Sequence, residues 1–188
     1  MLRRHIEPRL REALADRPVV VLVGPRQSGK TTLALEVVSK GAMTRYVSMD
    51  DAVTLAAARL DPVGFVRGLP HGSVIDEVQR APDVYLAIKS RVDRERRPGD
   101  FLLTGSADVM VLPGLADALV GRAEILTLLP LSAGEIAGCP EDFVAWAFAP
   151  HEPVRPTAPS EQDVAERIVR GGFPEASPAT DQIGRAHV

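Results

Sequence analysis

The chain has 188 residues, room for one domain of ordinary size or for one domain and the start of a second. Hydrophobic residues make up 45% and charged residues 25%, and 22 Lys and Arg against 25 Asp and Glu leave a net charge of −3. This balance excludes a disordered chain and supplies no general basic field for nucleic acid or an anionic membrane. The single cysteine, Cys139, excludes an intrachain disulfide framework, and four scattered histidines leave no zinc cluster.

Leu2, Ile6, Leu10 and Leu14 recur every fourth residue and predict an amphipathic helix over 2–16, weakened near its start by Pro8. Charges and that proline also break up any apolar signal region. Val19–Val23 is a short β-branched run, apolar on both sides, as a buried parallel strand reads. A glycine-rich turn and a helix from Lys30 to Ser39 follow. Further strands are predicted over Arg45–Met49, Gly72–Ile75, Phe101–Thr104 and Glu124–Leu128. Helical patterns separate them over Ala52–Leu60, Pro82–Arg94 and Asp108–Leu119. Such alternation predicts an α/β three-layer domain with a mainly parallel five-stranded sheet.

The pattern changes after Pro130. Pro150, Pro153, Pro156 and Pro159 recur every third residue and predict a stiff exposed loop in preference to a polyproline ligand. Ser160 then caps a helix over Glu161–Arg170. Ile183–Val188 spells the translation of ATCGGAAGAGCACACGTC, the opening of a widely used sequencing adapter, so the end of the chain is expected to be an artefactual tail. The expected division is 1–131 as a core with its N-terminal helix, 132–176 as the start of a C-terminal region, and 177–188 as that tail. The longest charge-free stretch, Ile125–Gly134, is ten residues, half of what a spanning helix needs, so a soluble cytoplasmic protein is expected.

Between the first strand and the second helix, Gly24-Pro25-Arg26-Gln27-Ser28-Gly29-Lys30-Thr31 matches the phosphate-loop pattern G-x-x-x-x-G-K-[ST], and Thr32 follows it. Gly24 and Gly29 allow backbone angles and a close approach that a Cβ would block. Successive N–H groups then form a nest for phosphates at a helix N-terminus. Lys30 is expected to reach the β- and γ-phosphates as a point charge, and the Thr31 hydroxyl to ligate Mg²⁺. Arginine outnumbers lysine nineteen to three, so a lysine at this position is a chemical choice.

Val74-Ile75-Asp76-Glu77 supplies the complementary acids, 46 residues after Lys30. Asp76, at a strand end, is expected to hold Mg²⁺ through water beside Thr31, and Glu77 to orient and polarise the attacking water. Thr104 and Ser106 end another core strand, where a hydroxyl could report the γ-phosphate or simply satisfy backbone; which of the two would do so is left open. Arg122, sixteen residues beyond Ser106, is a candidate for a phosphate contact in its own subunit or a neighbour's, with a surface salt bridge as the alternative. Arg26 and Arg80 are weaker candidates. The charged run Lys89–Arg97 mixes both signs without aromatics and reads as a solvated helix end, so a nucleic-acid partner is not supported.

Taken in order, Gly24–Thr32, Tyr46–Asp51, Ile75–Arg80, Leu103–Ser106, Leu119–Arg122, Leu129–Ser132 and Gly171–Glu175 resemble the landmarks of a family of prokaryotic AAA-type ATPases. In that family the AAA core precedes a C-terminal domain often compared with restriction-type nucleases. The resemblance implies ATP binding and Mg²⁺-dependent hydrolysis at Lys30, Thr31, Asp76 and Glu77, and extends more weakly to Thr104, Ser106 and Arg122. The chain departs from the family in length, and the C-terminal domain that the resemblance implies is expected to have been cut off with a truncated reading frame.

Among competing readings, a GTPase would use an Asn-Lys-x-Asp motif, which a chain without asparagine cannot contain. A P-loop small-molecule kinase would share Lys30 but has less use for Glu77. A non-catalytic ATP-dependent switch or docking module stays open, as does assembly into a homo-oligomer.

Overall fold

The computed structural model describes residues 2–106, 119–139, 147–148 and 160–174, without the side chains of residues 161 and 163. Those residues fall into two compact units, Ile6–Leu129 and Met1–His5 with Pro130–Val188.

The first unit begins with helix α1 (Glu7–Asp16), five residues later than the periodicity suggests. Pro8 explains the shortening: it has no N–H to donate and is tolerated only in a helix's first turn, where it sits. Strand β1 (Val19–Gly24), α2 (Lys30–Ser39), β2 (Arg45–Ser48), α3 (Ala52–Leu60), α4 (Pro62–Gly68) and β3 (Ser73–Asp76) follow. A 3₁₀ turn over Val78–Arg80, α5 (Val84–Arg94), β4 (Phe101–Ser106) and β5 (Ala123–Thr127) complete the unit.

The five strands form one sheet in the order β2-β3-β4-β1-β5. Each pairing is parallel, so the sheet is parallel throughout rather than mainly so. Parallel neighbours need a crossover between them, which the intervening helices provide. Alternation along the strands divides the core between two faces. Val19, Val21 and Val23 pack with Ile75, Phe101 and Leu103 against α3, α4 and α5. Val20 and Leu22 pack with Val74, Leu102 and Leu126 against α1 and α2. With both faces covered, a strand must be apolar at every position, which is why β1 is buried along its whole length.

Helix α4 has no counterpart in the predicted elements, although its start signal is present in Asp61-Pro62. The Asp61 carboxylate accepts from the Gly64 N–H at 2.8 Å, and Pro62 opens the helix.

In the second unit, α6 (Ala133–Ala137) is likewise an addition, set by a capping box. Ser132 Oγ accepts from the Glu135 N–H at 3.1 Å, and the Ser132 N–H donates to Glu135 Oε2 at 2.9 Å. Burial pushes the Glu135 carboxyl up, but bonds from the Ser132 and His5 backbones and from Arg4 outweigh it and leave the group below its ordinary range. Helix α7 (Glu161–Arg170) has the predicted bounds.

The proline-rich segment over 150–159, the helix predicted over Asp108–Leu119 up to its last residue, and the tail 177–188 lie outside the described residues. Among those described, no helix is long and apolar enough to cross a membrane.

Candidate phosphate site at the carboxyl edge of the sheet

The strand register gathers the chemistry-bearing residues. Ser48 pairs with Asp76, and Gly24 pairs with Ser106, so the ends of β1, β2, β3 and β4 meet along one edge. In an open parallel sheet, the crevice outside the strands' carboxyl ends is where ligands bind.

The loop from Gly24 to Gly29 turns the chain from β1 into α2. Its backbone is left-handed at Gln27 (φ 62°) and at Gly29 (φ 94°), the alternation from which a nest of N–H groups is made. Gly24 is required for a different reason. A Cβ there would overlap the carbonyl oxygen of Leu128, a backbone atom that cannot swing aside. Gly29 occupies the N-cap of α2 and offers no side-chain cap, so the N–H groups of the helix's first turn are left for an anion.

Lys30 is buried within this loop. Its ammonium donates to the carbonyls of Gly24 (3.0 Å) and Pro25 (2.7 Å). Burial pushes its pKa down, while the carboxylates of Glu77 and Asp76 draw it back up. With two of its three N–H groups on carbonyls, the ammonium keeps a donor for a phosphate oxygen.

Asp76, 2% exposed, is the hub. One oxygen accepts from Thr31 Oγ1 at 2.9 Å and from the Tyr46 hydroxyl at 2.6 Å; the other accepts from Thr104 Oγ1. The structure thus joins Thr31 and Asp76, forty-five positions apart in sequence. Among the described residues, no group of three or more His, Cys, Asp or Glu could hold a metal by itself. A magnesium ion suits the donor set that is present, because it keeps several waters and binds through one or two protein oxygens together with phosphates.

Tyr46 was absent from the sequence-derived site. It opens one of the segments that carry the family resemblance, but its contact with Asp76 depends on β2 lying beside β3, which is a property of the sheet. Burial, and then the bond to Asp76, raise its hydroxyl well above the ordinary tyrosine range. Tyr46→Phe is expected to cost about 1 kcal/mol, the net worth of one such hydrogen bond, in a urea titration. Thr31 continues to serve the same Asp76 oxygen.

Glu77 follows Asp76 in a left-handed conformation, φ 54° and ψ 41°, at the cap of the 3₁₀ turn. A residue with a Cβ adopts this at a cost of roughly 1–2 kcal/mol. The Glu77 N–H donates to Thr104 Oγ1 at 3.3 Å, and Arg80 N–H returns to the Glu77 carbonyl at 3.1 Å. Gln79 Nε2 donates to the Glu77 carboxylate.

The structure separates the two hydroxyl candidates. Thr104 is fully buried and bonds Asp76 and the Glu77 backbone, so it braces the acids from behind. Ser106 is partly exposed beside Gly24, at the mouth of the loop.

Arg122 requires a correction. It immediately precedes Ala123, the partner of Val19 at the start of β1, and so lies at the opposite edge of the sheet from the phosphate loop. Its guanidinium grips Asp93 in a bidentate pair, 2.5 and 3.0 Å. Strands rise by about 3.3 Å per residue, so the length of β1 separates Arg122 from the loop of its own chain. A phosphate contact within its own subunit is excluded. Arg80 pairs with Asp50, and Arg26 is exposed within the loop.

The fold and the site together define a three-layer α/β P-loop protein of the AAA type. A family model described as an AAA domain matches residues 16–137. Uncharacterized protein Rv2008c of Mycobacterium tuberculosis is 38% identical over 141 residues, covering 74% of this chain and 31% of that protein. Uncharacterized protein Mb2031c of Mycobacterium bovis matches with the same figures. The chain belongs to this AAA-domain family and spans 31% of the length of these curated relatives. AMPPCP-bound DnaA from Aquifex aeolicus shares the fold, with a TM-score of 0.54 at 14% identity over 93% of this chain and 57% of that one.

Proposed function

We propose that the chain binds ATP with Mg²⁺ at the Gly24–Thr32 loop and hydrolyses it. The observation that carries this reading is the joining of Thr31 to Asp76 beside a buried Lys30 and a helix N-terminus without a side-chain cap. The loop N–H groups and Lys30 would hold the phosphates, and Thr31 and Asp76 the metal. Bound magnesium would offset the charge on the phosphates. Glu77 takes the proton of the attacking water, and Ser106, partly exposed beside Gly24, is the hydroxyl we assign to sensing the terminal phosphate. Arg122 could serve only a neighbour's site, which makes a homo-oligomer the setting for any such role. The nucleotide named for the DnaA relative, an ATP analogue, accords with this reading.

Thermal unfolding of the chain with and without Mg·ATP tests the binding step. At a nucleotide concentration near 100 times Kd, the native state should gain about 2.7 kcal/mol. The gain should vanish in Lys30→Ala. A cooperative transition unmoved by Mg·ATP would reject ATP as the ligand.

A further inference from the structure

Residues two apart do not face each other on a helix. The left-handed corner at Glu77 is what turns the Glu77 and Gln79 side chains together. The bond is selective: Gln79 Nε2 reaches Oε2 of Glu77, and among the described residues no donor reaches the other carboxylate oxygen, Oε1. The orientation of the amide is fixed by the same contact, since its carbonyl would repel a carboxylate at that separation. Gln79 keeps this orientation even though its own Oε1 is buried with no hydrogen-bond partner among the described residues.

We propose that Gln79 is the positioning residue for the Glu77 base, holding one carboxylate oxygen so that the other is aimed at the attacking water. A glutamine suits this task, because a neutral amide orients the carboxylate without cancelling its charge. An arginine or lysine in its place would form an ion pair and compete with the water's proton. Arg80, the next residue along the chain, is paired with Asp50, and Lys30, which Glu77 influences electrostatically, donates to the Gly24 and Pro25 carbonyls. The inference rests on Glu77 acting as the base.

The test compares ATP turnover and equilibrium ATP binding in the full chain for Gln79→Leu, which keeps most of the shape and removes the N–H. Gln79→Glu keeps the length and sets a carboxylate against a carboxylate. Both should lower kcat by about 10- to 100-fold and leave the Kd for ATP within about twofold. In a Glu77→Gln background, Gln79→Leu should change the residual single-turnover rate by less than about twofold, because its effect passes through Glu77.

The inference is overturned by unchanged or raised kcat in either folded variant, by a loss that tracks ATP binding, or by a full additional drop in the double variant. Should Gln79→Leu fail to fold, the near-isosteric Gln79→Glu carries the same comparison. A crippled Glu77→Gln beside an active Gln79→Leu removes this inference alone. Native-like turnover by Glu77→Gln, or none by the native chain, removes the base assignment as well.

Discussion

Glu77→Gln is expected to lower the rate of ATP hydrolysis by about 10²–10⁴-fold, the range a positioned general base contributes. The substitution preserves the size of the side chain and leaves Thr31, Asp76 and Lys30 in place, so nucleotide binding and its thermal shift should persist. The backbone supports that separation of effects. The corner at residue 77 is held by the Thr104 hydroxyl on its N–H and by the Arg80 N–H on its carbonyl, neither of which involves the carboxylate. Steady-state turnover, read beside the Mg·ATP stabilisation of the same preparation, checks the prediction. A variant that binds and still hydrolyses at the native rate would show that Glu77 is not the base. A native chain that binds ATP but turns none over would favour the switch or docking module over the enzyme.

Phe101→Ala should destabilise the fold by about 3–5 kcal/mol. Phe101 is fully buried at the start of β4, the strand between β3 and β1, and its main chain pairs with Ser73 and Val19. The ring also lies 4.8 Å beneath the Arg91 guanidinium. Arg91 is itself bound to Asp100, which is buried, and to the carbonyls of Val66 and Leu69. Truncation therefore leaves a cavity in the central strand and removes the face over which a partly buried cation rests. Such a loss is a large share of a typical domain's 5–15 kcal/mol. Equilibrium urea unfolding should show a lower midpoint with an unchanged m-value; a loss below about 1 kcal/mol would mean that the site collapses around the deletion.

The two substitutions probe different parts of one sheet. Phe101 lies at the amino edge, where strands begin and packing alone is at stake. Glu77 lies beyond the carboxyl edge, where the last residues of β1, β3 and β4 turn from packing to chemistry. Arg122 belongs with Phe101 in this division, since both sit at the starts of strands. Its pairing with Asp93 is the surface salt bridge that sequence reasoning held as an alternative. An exposed pair of this kind is worth little to stability.

Short-range signals account for what could be read without the structure. The five strands and most of the helices follow from local periodicity and punctuation, and the phosphate loop from contiguous residues whose spacing is its own constraint. Helices α4 and α6 carry local start signals, in Asp61-Pro62 and in Ser132 with Glu135, but each is too short to build a recognisable apolar periodicity. The length of α1 was set by one residue, Pro8, acting through a missing N–H.

The site beyond the loop depends on which strand lies beside which. Local sequence determined the parallel α/β class, the phosphate loop, and the acidic pair at a strand end, because each is encoded within one or two turns or a single strand. Tertiary structure alone decided that β2 neighbours β3, and so that Tyr46 joins Thr31 and Thr104 on Asp76. It also decided that Thr104 braces the acids while Ser106 lines the mouth, and that Arg122 faces away from its own chain's loop. The physical reason is strand order and register. A hydroxyl two residues further along the same strand, or a side chain at the other end of it, differs in sequence by almost nothing. In space, that difference separates a buried hydrogen bond from an open site, and one edge of the sheet from the other.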